Sequence, residues 1–405
     1  MKSSPLYTSL LPDDDAHTAL FDLDHTRGMV EDIFGEDLHL ARVRSMANGV
    51  AGVLRASMVS IAAIGRAYAQ LADITTKSGI KQVDRLLSNE GVSLDEALPL
   101  WVRYVVGGTP SIVVAIDWTD FDDDDHTVLC ISLITSHGRA TPLVWRTVEK
   151  SGLKDQRTFH ELNLVRDLHR WLPEGTRVEL LGDRAFGYQA MYKLLSELSW
   201  DYTIRFRENI LVTEDGSDVA RPASAYVPNN GRVRRLIKPT VTKEGTEIPA
   251  AVFVKRKGMK EAWCLATSRV DGDARVPVRT YGRRFTIEET FRDQKDITFG
   301  AGLRATHIRD AGRRDRLLLL IAIAHTLLTL LGAASEASGL DRTLKANTVK
   351  RRTMSLLNQG LYWYQALLHG IRSDWAERLF GAYEEILQSH AFIAEILLFD
   401  PSQVE

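Results

Sequence analysis

From Met29 to about Val106 the apolar positions recur every three to four residues, in LHLARVRSMANGVAGVLRA, SIAAIGRAYAQL and SGIKQVDRLLSN. Gly and Ser or Asn punctuate these segments, so the pattern predicts short capped helices gathered in a small bundle. The period changes near Gly107. SIVVAID (Ser111 to Asp117) is a continuous β-branched apolar run, the pattern of a strand buried on both faces. After the acidic turn DFDDDDH, the runs TVLCISLIT and GRATPLVWRTV complete a meander of strands. A helical FHELNLVRDLHRWL, a second buried strand RVELLGD (Arg177 to Asp183), a helical AFGYQAMYKLLSEL and a strand WDYTIRFR follow. The predicted order is β-β-β-α-β-α-β.

From about Glu208 to Thr280 the chain is rich in Thr, Val, Pro and Gly, with strand-like pieces at RVRRLIK, IPAAVFVKR and AWCLATS. These predict a small, mostly antiparallel β subdomain inserted into the α/β region, with its cations facing outward. YGRRFTIEETFRDQK (Tyr281 to Lys295) reads as one helix, on which Tyr281, Arg284, Glu288 and Lys295 share a narrow sector beside an apolar edge of Ile287 and Phe291. LLLLIAIAHTLLTLLGAA (Leu317 to Ala334) is apolar on every side, yet it falls short of a membrane span and carries His325, Thr326 and Thr329. It reads as a buried core helix. The tail, from SLLNQGLYWYQALL to SHAFIAEILLF, reads as amphipathic helices that pack on the body or meet a partner subunit. The expected division is an acidic leader over 1–28, helices over 29–107, an α/β core over 108–207 and 281–334, a β insertion over 208–280 and a helical C-terminal region over 335–405.

Composition narrows the class. At 405 residues, 44% hydrophobic and 26% charged, the chain can bury a large core without staples. Its two cysteines, Cys130 and Cys264, lie in apolar runs, which argues against a disulfide framework or a zinc site and for a reducing, cytoplasmic compartment. The net charge is only −2, but it is unevenly spread. The first forty residues are acidic. Basic zones run through Arg232 to Lys260, through Arg304 to Arg316 and through Arg342 to Arg352, as contacts to a polyanion need and as solvated faces also show. In SGIKQVDRLLSN, Lys77, Lys81 and Arg85 line up four apart, away from Ile80, Val83 and Leu87. This is either a DNA recognition helix or a surface helix with three cations.

The candidate chemistry is acidic. Asp117 and Asp183 each follow a buried strand, where ligand sites collect in open α/β sheets, although an Asp in that place also forms turns. With Glu288 they make three oxygen donors without nearby His or Cys, a set for Mg²⁺ or Mn²⁺ and for phosphoryl transfer between paired metals. Arg284 and Glu288, four apart, equally suit an ordinary surface pair. Asp120 and the run Asp122, Asp123, Asp124 and Asp125 read as a solvated hairpin tip, with Asp120 the alternative ligand. His126 and His137 read as structural. Trp263 is either a core residue or an aromatic plate for an extruded base.

The spacing Tyr281, Arg284, Glu288, Lys295, with Asp117 in VVAIDWTD and Asp183 in LLGDRAFG, resembles the bacterial DDE transposases of the insertion-sequence-four family. IEETFRDQK, GAGLR and ANTVKRR bring it near the cut-and-paste enzymes of composite transposons. The resemblance covers about Leu38 to about Gly360. It implies a ribonuclease-H-like catalytic core interrupted by a β insertion, with Asp117, Asp183 and Glu288 holding two Mg²⁺ ions that Mn²⁺ can replace. Tyr281, Arg284 and Lys295 would hold DNA phosphates near the transposon end. Trp263 would stack on a flipped base, while Phe285 stands where some relatives have a second tryptophan. The implied partners are double-stranded DNA, as terminal inverted repeats and as target, and a second copy of the chain in a synaptic homodimer, with no membrane. The implied route is a nick, a hairpin, hairpin opening and joining to target DNA. A ribonuclease-H-like nuclease or resolvase without strand transfer, and a non-catalytic DNA-binding protein, are the other readings.

Overall fold

The computed structural model describes residues 22–388 apart from 57, 243–244, 296–301 and 304–305, together with residue 396, and only the backbone of Gln294 and Lys295. The chain begins with five helices: α1 (Leu23–Phe34), α2 (Leu40–Arg55), α3 (Ile61–Leu71), α4 (Thr76–Ser88) and α5 (Leu94–Val106). Then come β1 (Ser111–Phe121), β2 (His126–Leu133), β3 (Thr141–Glu149), α6 (Arg157–Trp171), β4 (Arg177–Gly182), α7 (Gln189–Glu197) and β5 (Asp201–Phe206). The next stretch holds β6 (Leu211–Thr213), β7 (Ala220–Pro222), β8 (Arg234–Ile237), β9 (Thr240–Val241), β10 (Thr246–Glu247), β11 (Ala250–Val254) and β12 (Trp263–Thr267). It is followed by α8 (Arg275–Gly282), α9 (Phe285–Lys295), α10 (Ala311–Ala337), α11 (Leu356–His369) and α12 (Ser373–Gln388).

The chain divides into two compact units. The first contains the chain up to Val92 and from Leu317 to Ile393, so it joins α1 to α4 with most of α10, α11 and α12. Ser60 caps α3 by accepting from the Ala63 N–H, and Thr75 caps α4 by accepting from the Ser78 N–H, which sets a short turn between the two helices. Their crossing needs glycine. A Cβ on Gly79 would stand 2.3 Å from the Gly65 carbonyl oxygen, and one on Gly65 would stand 2.4 Å from Ile80 Cα. Val83, Leu86 and Leu87 are buried, while Lys77, Lys81 and Arg85 are exposed on the other side of α4. α10, apolar from Leu317 to Ala334, is the one described helix long and apolar enough to cross a membrane, and 94% of that apolar window is buried inside the protein. This is the expected core helix. Trp363, Tyr364 and Tyr383 of the tail are fully buried as packing residues, and the SHAFIAEILLF stretch lies almost wholly outside the described residues. The first described helix starts at Leu23, inside the stretch read as leader.

The second unit holds a mixed eight-stranded sheet in the order β3-β2-β1-β4-β5-β12-β11-β8. β1, β4 and β5 are parallel, and the β1–β2–β3 meander is antiparallel. That arrangement, with the helices before and after it, is consistent with a ribonuclease-H-like core. Two expectations change here. The insertion is not one separate subdomain, because β12 pairs with Cys264 to Thr267 against Phe206 to Thr203 of β5 and so extends the main sheet through β11 to β8. Only β6, β7, β9 and β10 form their own four-stranded sheet. The buried runs AAVFV and WCLAT fit this, since strands this buried need both backbone edges hydrogen-bonded, and β12 pairs with β5 and β11 while β11 pairs with β12 and β8. The helix α5, expected with the N-terminal bundle, belongs to the second unit: Trp101 is fully buried and its indole N–H donates to the Pro142 carbonyl at 2.8 Å.

In the first unit α10 and α11 touch through a glycine pair. A Cβ on Gly360 would stand 1.8 Å from the Leu328 carbonyl oxygen, and one on Gly332 would stand 1.9 Å from that of Leu356. Because backbone is the obstacle, Gly360→Ala must push the helices apart. It is expected to destabilise the protein by roughly 1–3 kcal/mol in urea unfolding, as overpacking does, and an unchanged midpoint would show that the helices are free to separate.

Candidate active site

The last parallel pair between β1 and β4 is Ile116 with Gly182, so Asp117 and Asp183 are the next residues along their strands, side by side at the carboxyl edge. β1 itself continues to Phe121 against β2, with Asp117 opposite Cys130. The expectation that a strand ends at Asp117 is corrected in this respect: what ends there is the pairing with β4. Asp183 opens a turn in which its Oδ1 accepts from the Ala185 N–H at 2.7 Å. Asp117 Oδ1 accepts from the Trp118 N–H at 2.9 Å.

The expected single helix over Tyr281 to Lys295 is broken. α8 ends at Gly282, and the N–H groups of Arg283, Arg284, Thr286 and Ile287 bond three residues back, a tight turn between α8 and α9. Tyr281, in the last turn of α8, still lies beside the site: its hydroxyl hydrogen-bonds with Arg284 and is near enough to Asp183 to feel its charge. It is 1% exposed, in a cluster with Val252, Val254, Leu265 and Val278, and burial raises its hydroxyl pKa. Trp263 is half-buried and meets the Tyr281 ring edge-on at 5.0 Å, while Phe285 is 41% exposed with its ring 6.0 Å from Trp263. The break lets one short segment bury Tyr281 against β11 and β12 and still turn Glu288 toward β1.

Arg284 lies in that turn and joins the carboxylates. It donates from Nη1 to Asp117 Oδ2 at 3.0 Å and from Nη2 to Glu288 Oε1 at 2.6 Å. Burial works against its charge, but Tyr281, Asp117 and Glu288 together hold the guanidinium above its usual range. Ile287 and Phe291 are buried as expected, and α9 is clamped by residues that the pattern did not reveal. Thr290 Oγ1 accepts from the Ala140 N–H at 2.9 Å and donates to the Ala140 carbonyl at 3.0 Å, and buried Asp293 pairs with Arg139. The side chain of Lys295 lies outside the described residues.

Asp120 is not the alternative ligand. Side chains alternate along a strand, so it points to the face opposite Asp117, where it pairs with Lys150 at 3.2 Å. Nor is the acidic hairpin tip merely solvated. Asp124 is buried against Arg314, whose Nε donates to His126 Nδ1 at 3.0 Å, and Asp125 accepts from the Ser151 N–H and hydroxyl. Arg314, from the second basic zone, is thus a fully buried anchor rather than a surface cation. Cys130 and Cys264 are free and buried, their thiols pushed up to about 12 by burial.

Among the described residues no three acidic, His or Cys side chains are gathered as a set of metal ligands, and Arg284 is bonded to both Asp117 and Glu288. The donor chemistry nevertheless fits a hard cation. Burial pushes the Asp117 carboxyl up to about 6, against the pull of Arg284, and the charges of Asp183 and Glu288 add to the rise. Mutual repulsion of this kind is relieved by a divalent ion with oxygen ligands. In metal-free protein, ionising Asp117 costs stability as pH rises from about 4, its unfolded value, to about 6. The unfolding free energy of the wild type minus that of Asp117→Asn is expected to fall over this window and then level off. Urea unfolding in EDTA between about pH 4 and about pH 7 measures it, and a flat difference would mean that Asp117 titrates as an ordinary carboxylate.

The sequence matches the Transposase DDE domain family over residues 109–327, more than half of its 405 residues, a span that contains Asp117, Asp183 and Glu288. No curated protein matches it. With this coverage, the chain belongs to the DDE transposase domain family, enzymes that cut DNA and transfer its strands in transposition inside the cell.

Proposed function

We propose that this enzyme is a cut-and-paste transposase of the insertion-sequence-four group, and that Asp117, Asp183 and Glu288 are its catalytic triad. The observation that carries the reading is the adjacent register of Asp117 and Asp183 together with the link from Asp117 through Arg284 to Glu288. Two Mg²⁺ ions, or Mn²⁺ in their place, held by the three carboxylates would supply an activated nucleophile and charge neutralisation at the scissile phosphate. The protein's own groups do the positioning. Arg284 neutralises the carboxylates in the free protein and offers a planar pair of donors to a phosphate that comes to the site. Lys295, at the end of α9, adds a second cation for the transposon end. Tyr281, buried edge-on against Trp263, holds Arg284 through its hydroxyl and would join it in meeting a phosphate.

Half-buried Trp263 and exposed Phe285 form two tilted plates beside Arg284, which suits an extruded base during hairpin formation. The exposed cations of α4, on a helix held to α3 by a short turn, suit recognition of the terminal inverted repeats. Two copies acting together would hold both ends before cleavage, and the joined product would be formed in target DNA.

A fragment carrying the inverted repeat that flanks the gene, incubated with Mg²⁺ or EDTA and resolved on a denaturing gel, tests this reading. The wild type is expected to give a metal-dependent nick and then a hairpin. Glu288→Ala should abolish cleavage while leaving end binding intact, and cleavage that survives in this variant removes Glu288 from the triad. Trp263→Ala should nick normally and make little hairpin. Normal hairpin yield would make Trp263 a core residue. Replacing Lys77, Lys81 and Arg85 together by Ala should weaken end binding and flatten its salt dependence by about three phosphate contacts, read by gel shift over a range of salt. An unaltered slope would make α4 an ordinary surface helix.

A further inference from the structure

One buried acid joins the two segments that carry the aspartates. Glu161 of α6 is 3% exposed, and its two oxygens serve different donors. Oε1 accepts from Trp118 Nε1 at 2.7 Å, and Oε2 accepts from the Tyr188 hydroxyl at 2.6 Å. Trp118 directly follows Asp117 and gives its own backbone N–H to Asp117 Oδ1. Tyr188 ends the turn that starts at Asp183, in which the Phe186 N–H bonds the Asp183 carbonyl at 3.1 Å and the Tyr188 N–H bonds the Phe186 carbonyl at 3.1 Å.

This link has a geometric reason. The parallel pairing of β1 with β4 stops at Ile116 and Gly182, so the sheet no longer holds Asp183 against Asp117. Side chains alternate along β1, so Asp117 faces Arg284 while Trp118 faces α6. Glu161 therefore acts from the opposite face of the strand and touches no carboxylate of the site. Among the described residues no cation forms an ion pair with it, and a carboxylate buried in this way is costly unless its hydrogen bonds are specific. The guanidinium of Arg157, 5.0 Å from the centroid over the Trp118 ring, steadies the indole at its face.

We propose that Glu161 is a positioning residue which sets the separation of Asp117 and Asp183 by tying Trp118 and Tyr188 to one carboxylate. The proposal rests on the reading of those aspartates as metal-holding groups. Trp118→Phe and Tyr188→Phe each remove one bond and keep a ring. Glu161→Gln can keep both bonds, since its carbonyl accepts from the indole and its amide donates to the tyrosine hydroxyl, whereas Glu161→Leu keeps neither. Three readouts on the full chain separate positioning from folding: thermal melting, binding of Mn²⁺ without DNA by electron paramagnetic resonance, and single-turnover cleavage at saturating DNA. Each Phe variant is expected to melt as a folded protein, to bind Mn²⁺ and cleave about 10- to 100-fold less well, and to bind DNA ends as before. Glu161→Gln should stay close to wild type, and Glu161→Leu should be at least as impaired as either Phe variant. If Glu161→Leu does not fold, the Phe variants decide. Folded Phe variants with wild-type Mn²⁺ binding and cleavage, or a Gln variant as impaired as the Leu variant, overturn the proposal. Asp117→Ala and Asp183→Ala run alongside: if they keep Mn²⁺ binding and cleavage the site reading itself falls, and if they alone lose both only the role of Glu161 falls.

Discussion

The second unit is built around a charge problem. Asp117 lies half-buried near two further carboxylates; burial, with a smaller addition from their charges, raises its pKa to about 6 even with a guanidinium alongside. Arg284 bonds to Asp117 and Glu288 at once, and so keeps together groups that would otherwise move apart or take up protons. Much of the surrounding architecture serves to bring that arginine and those acids to one edge of the sheet. The break between α8 and α9 turns Arg284 inward, and the clamp of Thr290 on Ala140 and Asp293 on Arg139 fixes α9 against the meander.

The sheet contributes in two ways. Its parallel centre sets Asp117 and Asp183 in adjacent register, and its extension by β12 and β11 supplies Val252, Val254 and Leu265, which cluster with Tyr281. A stretch that looks like an insertion is thus tied into the sheet that carries Asp117 and Asp183. Burial of Tyr281 there fixes the end of α8, and from that point a three-residue hydrogen-bonding pattern carries the chain to Arg284. Packing and electrostatics are therefore coupled through a few residues.

The helical unit follows different rules. Its stability comes from apolar faces and from glycines that let backbones approach, Gly65 with Gly79 and Gly332 with Gly360. Lys77, Lys81 and Arg85 of α4 are exposed because the packing side of the same helix is supplied by Val83, Leu86 and Leu87.

Local pattern alone determined a good deal: the helical bundle, the meander, the two buried strands, the apolar run of α10 and the position of Asp117 and Asp183 directly after apolar runs. Each of these depends on periods of two or 3.6 residues, or on a polar residue placed directly after an apolar run, and neighbours in the chain decide such features. The tertiary structure decided the rest. The bond from Arg284 to Asp117 spans 167 residues, and that from Trp118 to Glu161 spans 43, distances over which periodicity carries no information. For the same reason the break after Gly282, the burial of Arg314 with Asp124, the joining of β12 to β5 and the place of α5 beside β3 were not legible in the chain. Each follows from which surfaces are left to be covered once the local elements have formed, and that is a property of the whole fold.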